Sequence, residues 1–224
     1  MQLNKMIDHT KLGANVTNVQ IDQLIDEAKA YQFKSVCVNP IFVAHAKEKL
    51  KDSDVLVCTV IGFPHGTHHP EVKAMEARHA VLSGADELDM VINVNALKEG
   101  HDDLLEMEIK GVVQMAEGRT VKVIIETCYL TPEEIVRACQ IAVKANATFV
   151  KTSTGFGPSG ARVEDVKLMK DTVGSRAQVK ASGGVRTYAD AIAMINAGAT
   201  RIGTSNGIQI MSKEGSKDDT NTSY

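Results

Sequence analysis

The chain of 224 residues has no tryptophan, few aromatics of any kind at 4%, and only four cysteines, none of them in a CxxC pair. That spacing gives no zinc-ribbon or thioredoxin-like signature. Three of the four lie in or beside apolar strand-like runs, so the cysteines read as reduced core residues of a cytoplasmic protein. Long apolar runs are missing too, since no stretch approaches the roughly 18 residues of a membrane span. The opening residues lack the apolar segment of an export signal, and a soluble, unexported protein is expected. Nor is there a basic surplus, the formal charge being −3. A nucleic-acid binder or a protein of acidic membrane surfaces would carry one, so neither partner is expected and a small-molecule ligand is. No linker, low-complexity block or charge run divides residues 1–211, which read as one domain, and 212–224 read as a polar, flexible tail.

What is present is a strict alternation of short β-branched runs with longer amphipathic segments. Strands are predicted at 5–10, 34–39, 55–61, 86–92, 121–126, 148–152, 177–181 and 200–204, with helices near 18–31, 41–50, 69–83, 97–117, 132–146, 162–173 and 187–197. Thr131-Pro132-Glu133-Glu134 supplies an N-cap, a proline at the first helical position and a capping-box glutamate; Ile135, Ala138, Cys139, Ala142 and Val143 then form an apolar face. Repeated strand–helix units impose right-handed crossovers and a parallel sheet, and eight of them can close without leaving an edge. The expected fold is a single-domain (β/α)8 TIM barrel, with an open doubly wound sheet as its rival.

Two of the strand runs contain a lysine followed at once by a Gly/Ser/Thr-rich loop: Phe149-Val150-Lys151-Thr152-Ser153-Thr154-Gly155 and Val179-Lys180-Ala181-Ser182-Gly183-Gly184. A buried ammonium is costly unless paired or neutralised. In a barrel both lysines lie on adjacent strands near the rim where active sites form. If their nitrogens are about 5 Å apart, repulsion at an effective dielectric of 20 is roughly 3 kcal/mol, enough to lower one pKa by about two units and leave a nucleophilic amine. The bland alternative is a pair of lysines that snorkel or pair with carboxylates. Asp89 interrupts another strand core, with Leu88 and Met90 on the opposite face; it reads as a proton relay or as one half of an internal salt bridge with Lys180. Gly183-Gly184 and Gly203-Thr204-Ser205-Asn206 fall where many barrels hold a phosphate on backbone N–H groups, though either is also an ordinary turn.

These runs, together with Glu87-Leu88-Asp89-Met90-Val91-Ile92-Asn93, Val121-Lys122-Val123-Ile124-Ile125-Glu126-Thr127, Ile7-Asp8-His9-Thr10, Ser35-Val36-Cys37-Val38-Asn39-Pro40 and Cys58-Thr59-Val60-Ile61-Gly62-Phe63-Pro64, resemble the bacterial deoxyribose-phosphate aldolases in order along nearly the whole chain. The resemblance implies a class I aldolase that reversibly cleaves 2-deoxy-D-ribose 5-phosphate to D-glyceraldehyde 3-phosphate and acetaldehyde, with no metal or cofactor. Lys151 matches the family's Schiff-base lysine, Lys180 its second lysine and Asp89 its acid/base aspartate. Thr154, Gly155, Gly183, Gly184, Ser205 and Asn206 match phosphate-loop positions, and Asp8, Thr10 and Cys37 match pocket-lining ones. The terminal Tyr224 matches a tail tyrosine that assists proton exchange in bacterial members, and the family is often dimeric.

One segment departs from the pattern. Gly62-Phe63-Pro64-His65-Gly66-Thr67-His68-His69 places three histidines on one loop, with no acidic ligand fixed beside them, and they read as solvated rather than metal-binding. Three functional readings stand: the Schiff-base aldolase, another phosphosugar lyase or isomerase, and a noncatalytic phosphosugar-binding barrel.

Overall fold

The structure, a computed structural model, describes residues 2–212. Its strands are β1 (Ile7–Lys11), β2 (Ser35–Val38), β3 (Leu56–Ile61), β4 (Glu87–Val91), β5 (Thr120–Ile124), β6 (Phe149–Lys151), β7 (Gln178–Ser182) and β8 (Arg201–Thr204). Each pairs in parallel with the next, and β8 returns to β1, so the sheet is a closed barrel. The open-sheet alternative is thereby removed. A 3-10 turn at Leu3–Met6 takes the start of the first predicted strand.

Helices α1 (Asn18–Tyr31), α2 (Val43–Lys49), α3 (Pro70–Leu82), α4 (Val94–Lys98), α5 (Asp102–Met115), α6 (Pro132–Lys144), α7 (Val163–Val173), α8 (Tyr188–Asn196) and α9 (Gly207–Ser212) follow their strands. At α6 the predicted capping box forms, Thr131 Oγ1 accepting from the Glu134 N–H and the Glu134 carboxylate accepting from the Thr131 N–H. Ile135, Ala138, Cys139 and Ala142 are buried as its pattern requires, and Val143 is half-buried. The segment read as one helix over 97–117 is two, because the chain turns at Gly100 (φ 76°) and restarts on Asp102 and Asp103, acidic side chains suited to a helix N-terminus. Among the described residues no helix is long and apolar enough to cross a membrane.

Strand alternation sorts the side chains into two environments. Val57, Leu88, Val121, Val150, Val179 and Ile202 belong to the large apolar cluster between sheet and helices. Each such side chain contributes about 1.5–3 kcal/mol by leaving water. The opposite parity points into the barrel, where Cys37 pairs in register with Cys58, Asp89 with Lys122, and Lys151 with Lys180. A small apolar group of Leu12, Cys37, Cys58 and Val60 lies on that side, and buried Val91, Ile124 and Phe149 share its parity. Helix packing therefore supplies most of the hydrophobic stability, and the barrel interior holds the charged cluster.

Candidate active site

Inside the barrel Asp89, wholly buried on β4, gathers three lysines. Lys122 Nζ lies 2.7 Å from its Oδ1, while Lys151 Nζ and Lys180 Nζ lie 2.8 and 2.7 Å from the same Oδ2. The two lysines singled out by sequence are thus within two hydrogen-bond lengths of each other, with a carboxylate oxygen between them. Lys180 also reaches Asp8 Oδ2 at 2.5 Å, and Arg201 joins Asp8 Oδ1 at 2.7 Å to Glu87 Oε2 at 2.8 Å. Lys122 closes the circuit at 2.6 Å from Glu87 Oε2. Close approach decides one residue of β8: a Cβ at Gly203 would lie 2.9 Å from Lys180 Cε, so glycine leaves the lysine its place.

Burial opposes the charges of Asp8, Asp89, Lys122, Lys180 and Arg201, and their partners outweigh it. Asp8 and Asp89 are held well below the usual carboxylate range by the surrounding cations, while Asp8 and Asp89 hold Lys180 above the ordinary lysine value. Lys122 is raised in the same way, chiefly by Asp89, and Arg201 by Asp8 and Glu87. Like-charge crowding is therefore present, but it is bridged. These shifts fix a stability profile. Carboxylates depressed below their unfolded value of about 4 stabilise fully above that value and lose the contribution as pH falls; cations raised above about 10.4 stabilise fully below it and lose the contribution as pH rises beyond. A urea midpoint that stays flat between about pH 5 and 9 and falls steeply toward pH 3 is expected in equilibrium unfolding. A midpoint that rises on acidification would contradict the charged network.

Cys37 and Cys58 sit beside Asp89, with ligand atoms of all three within 4.8 Å of one another, the one cluster of metal-ligand type among the described residues. Lys122 Nζ already occupies its edge, 3.3 Å from Cys58 Sγ, so the group reads as an ammonium site. The Cys37 thiol is lowered by its hydrogen bond with Cys58, whereas burial raises Cys58. His65, His68 and His69 are exposed and form no such cluster.

The other sequence candidates fall in three places. Asp8 belongs to the ion network, its Oδ1 also accepting from Ser35 Oγ at 2.7 Å, and the Thr10 hydroxyl donates to the Asp8 carbonyl at 2.8 Å. Thr154, Gly155, Gly183, Gly184, Ser205 and Asn206 cluster on the segments that leave β6, β7 and β8 at the C-terminal rim. Ser182 Oγ donates to the Ser153 carbonyl at 2.7 Å and binds two of these segments together. Gly183 has φ 79°, and a Cβ there would lie 2.9 Å from Gly160 Cα, so no other residue type fits. Ser205 is exposed and Asn206 half-buried ahead of α9. Tyr224 lies outside the described residues.

Sequence reasoning missed Lys122, Glu87, Arg201 and Glu126. The signal for Lys122 was available, because Val121-Lys122-Val123 is a charge inside a β-branched run like the two it recognised. Glu87 and Arg201 stand at strand beginnings, where charge is unremarkable until closure turns it inward.

A closed parallel barrel with amines and a carboxylate gathered beneath its C-terminal rim is the architecture of an aldolase. The family model described as DeoC/LacD family aldolase matches residues 3–213, and the chain belongs to that family. It is 62% identical over 208 residues to the deoxyribose-phosphate aldolase of a Geobacillus species, covering 92% of this chain and 93% of that one. The corresponding enzyme of Acholeplasma laidlawii is 55% identical over 224 residues, the full length of both. Among solved structures, the aldolase QR15 superposes with a TM-score of 0.90 at 42% identity over 94% of each chain. Deoxyribose phosphate aldolase from Aeropyrum pernix, described as a tetramer, gives 0.88 at 31% identity over 94% of this chain and 89% of that one.

Proposed function

We propose that this aldolase reversibly cleaves 2-deoxy-D-ribose 5-phosphate to D-glyceraldehyde 3-phosphate and acetaldehyde through an imine on Lys151, in the cytoplasmic breakdown of deoxyribose phosphates. The observation that carries the reading is the meeting of Lys151 and Lys180 at one oxygen of Asp89. Asp8, Glu87 and Asp89 are matched by Lys122, Lys180 and Arg201; Lys151 is the further cation, and among the described residues its one carboxylate contact is the one it shares. Release of its proton leaves the cluster balanced and an amine facing the rim.

That amine adds to the C1 carbonyl of the open-chain sugar, and the carbinolamine loses water to give an iminium. A base removes the C3 hydroxyl proton, the C2–C3 bond breaks, and its electron pair moves into the iminium to form an enamine as glyceraldehyde 3-phosphate departs. Protonation at C2 and hydrolysis then free acetaldehyde and Lys151. We assign the hydroxyl and carbinolamine protons to Asp89 acting through water, with Lys180 sharing the transfers. The phosphate is assigned to Gly155, Gly183, Gly184, Ser205 and Asn206 on the rim. Tyr224 is assigned to proton exchange at C2. The iminium is itself the electron sink, so the step calls for no metal.

Borohydride reduction after incubation with deoxyribose 5-phosphate or acetaldehyde tests this directly. Mass spectrometry is expected to place the adduct on Lys151, and the absence of any reducible adduct would end the proposal. Two further variants test the division of labour. Asp89→Asn is expected to lower kcat by about 10²–10³-fold with little change in phosphate-dependent binding; a loss of affinity alone would make Asp89 a positioning group. Lys180→Leu removes the neighbouring cation and is expected to move imine capture to higher pH. The protein is also proposed to form a homodimer, for which Val72 and Met75 on α3 and Leu104 and Met107 on the adjacent α5 offer exposed apolar surface.

A further inference from the structure

Among the described residues, four that are not glycine have positive φ: Gln32, Glu117, Glu126 and Asn146. Three of them follow the C-terminal ends of α1, α5 and α6, where a left-handed residue ends a helix. Glu126 does not. It stands just beyond β5 at φ 55°, ψ 66°, a conformation that glycine adopts without cost and that a side chain holds only when its surroundings impose it.

Its carboxylate, almost fully buried, explains the imposition. Oε1 accepts from the Thr154 backbone N–H at 3.1 Å and Oε2 accepts from the Thr154 hydroxyl. The Thr154 oxygen in turn accepts from the Phe156 N–H at 3.1 Å, and the Phe156 ring meets Phe63 edge-on at 5.4 Å between centroids. A single side chain on β5 thus holds the segment that begins three residues after Lys151. With both its donors turned to Glu126, Thr154 acts as a strut; Gly155, which follows it at φ 90°, is the first residue of that segment able to offer its N–H to a phosphate.

We propose that Glu126 is a positioning residue that sets the Thr154–Phe156 segment, and through it the affinity of the rim for the phosphate of the substrate. The inference rests on the phosphosugar reading above. A turn with no further duty would be served better by glycine, and what the glutamate adds is the hold of its carboxylate on Thr154. A cavity of about 80 Å³, lined in part by His65, Glu126, Tyr129, Thr154 and Phe156, lets water reach the groups that removal of the carboxylate would strand. A Glu126→Gly variant is therefore expected to fold.

The test measures kcat and KM with deoxyribose 5-phosphate and with unphosphorylated deoxyribose, the Kd for inorganic phosphate, and the thermal midpoint. Glu126→Gly is expected to raise KM for the phosphorylated sugar and Kd for phosphate about 10-fold, to leave kcat within about threefold and deoxyribose turnover unchanged, and not to lower the midpoint. Glu126→Gln, which still accepts the Thr154 N–H, is expected to retain most of the affinity. Thr154→Val, which loses the hydroxyl and keeps the shape, is expected to shift in the same direction as Glu126→Gly and carries the test if that variant fails to fold. Equal losses on both sugars, or no change in phosphate Kd, would overturn the proposal. A wild type that neither cleaves the phosphosugar nor forms a reducible adduct would refute the functional reading instead, and the phosphate titration would still decide the role of Glu126.

Discussion

Lys151→Ala is expected to lower aldol cleavage by about four orders of magnitude or more and to abolish borohydride capture, while leaving the thermal midpoint nearly unchanged. The first half follows from position. Lys122 is tied to three carboxylates and Lys180 to two, and neither has exposed side-chain surface, so neither can take over as nucleophile. The second half follows from charge. Among the described residues the one carboxylate paired with Lys151 is Asp89, whose Oδ2 keeps Lys180 at 2.7 Å, so its removal strands no carboxylate. Steady-state assay, mass spectrometry and a melting curve on one preparation check all three. Residual turnover near the wild-type rate would place the imine on another lysine.

Lys122→Met is expected to do the reverse, striking stability first. The methionine fills similar space but leaves Asp89 Oδ1 and Glu87 Oε2 without the cation that lies 2.7 and 2.6 Å from them, deep in the barrel. Breaking one partner out of a buried ion pair costs about 3–5 kcal/mol; Asp89 Oδ1 loses its cation outright while Glu87 keeps Arg201, so a loss at the lower end of that range is expected. For a domain of this size that corresponds to a fall of about 10 °C in the melting midpoint. A Lys122→Met protein that melts with the wild type would show that Lys151, Lys180 and Arg201 suffice to pair the interior carboxylates.

The barrel was legible because its two periods do not overlap. Strand runs such as Val121–Ile124 and helix faces such as Ile135, Ala138 and Ala142 each satisfy one spacing and fail the other. Closure was argued from the number of units, and the register then put Lys151 opposite Lys180. The interior charge count was not legible in the same way. Parity along one strand tells which residues share a face, but Arg201 and Glu87 meet across the barrel, and only closure brings β4 and β8 within 2.8 Å of each other at their side chains. Glu126 was invisible for a different reason: nothing in Ile125-Glu126-Thr127 announces a left-handed glutamate, since that conformation is imposed by Thr154, 28 residues away.

The amines that meet Asp89 are chemically alike and differ in depth. Lys122 and Lys180 expose none of their side chains, and Lys151 exposes 4%. An electrophile descending from the mouth encounters Lys151 before either of the others, so selectivity among identical functional groups is settled by order of arrival. The same grading should hold for reagents unrelated to the substrate. A small acylating or alkylating probe would mark one amine of the trio, which makes the interior of this barrel a natural host for single-point covalent derivatisation.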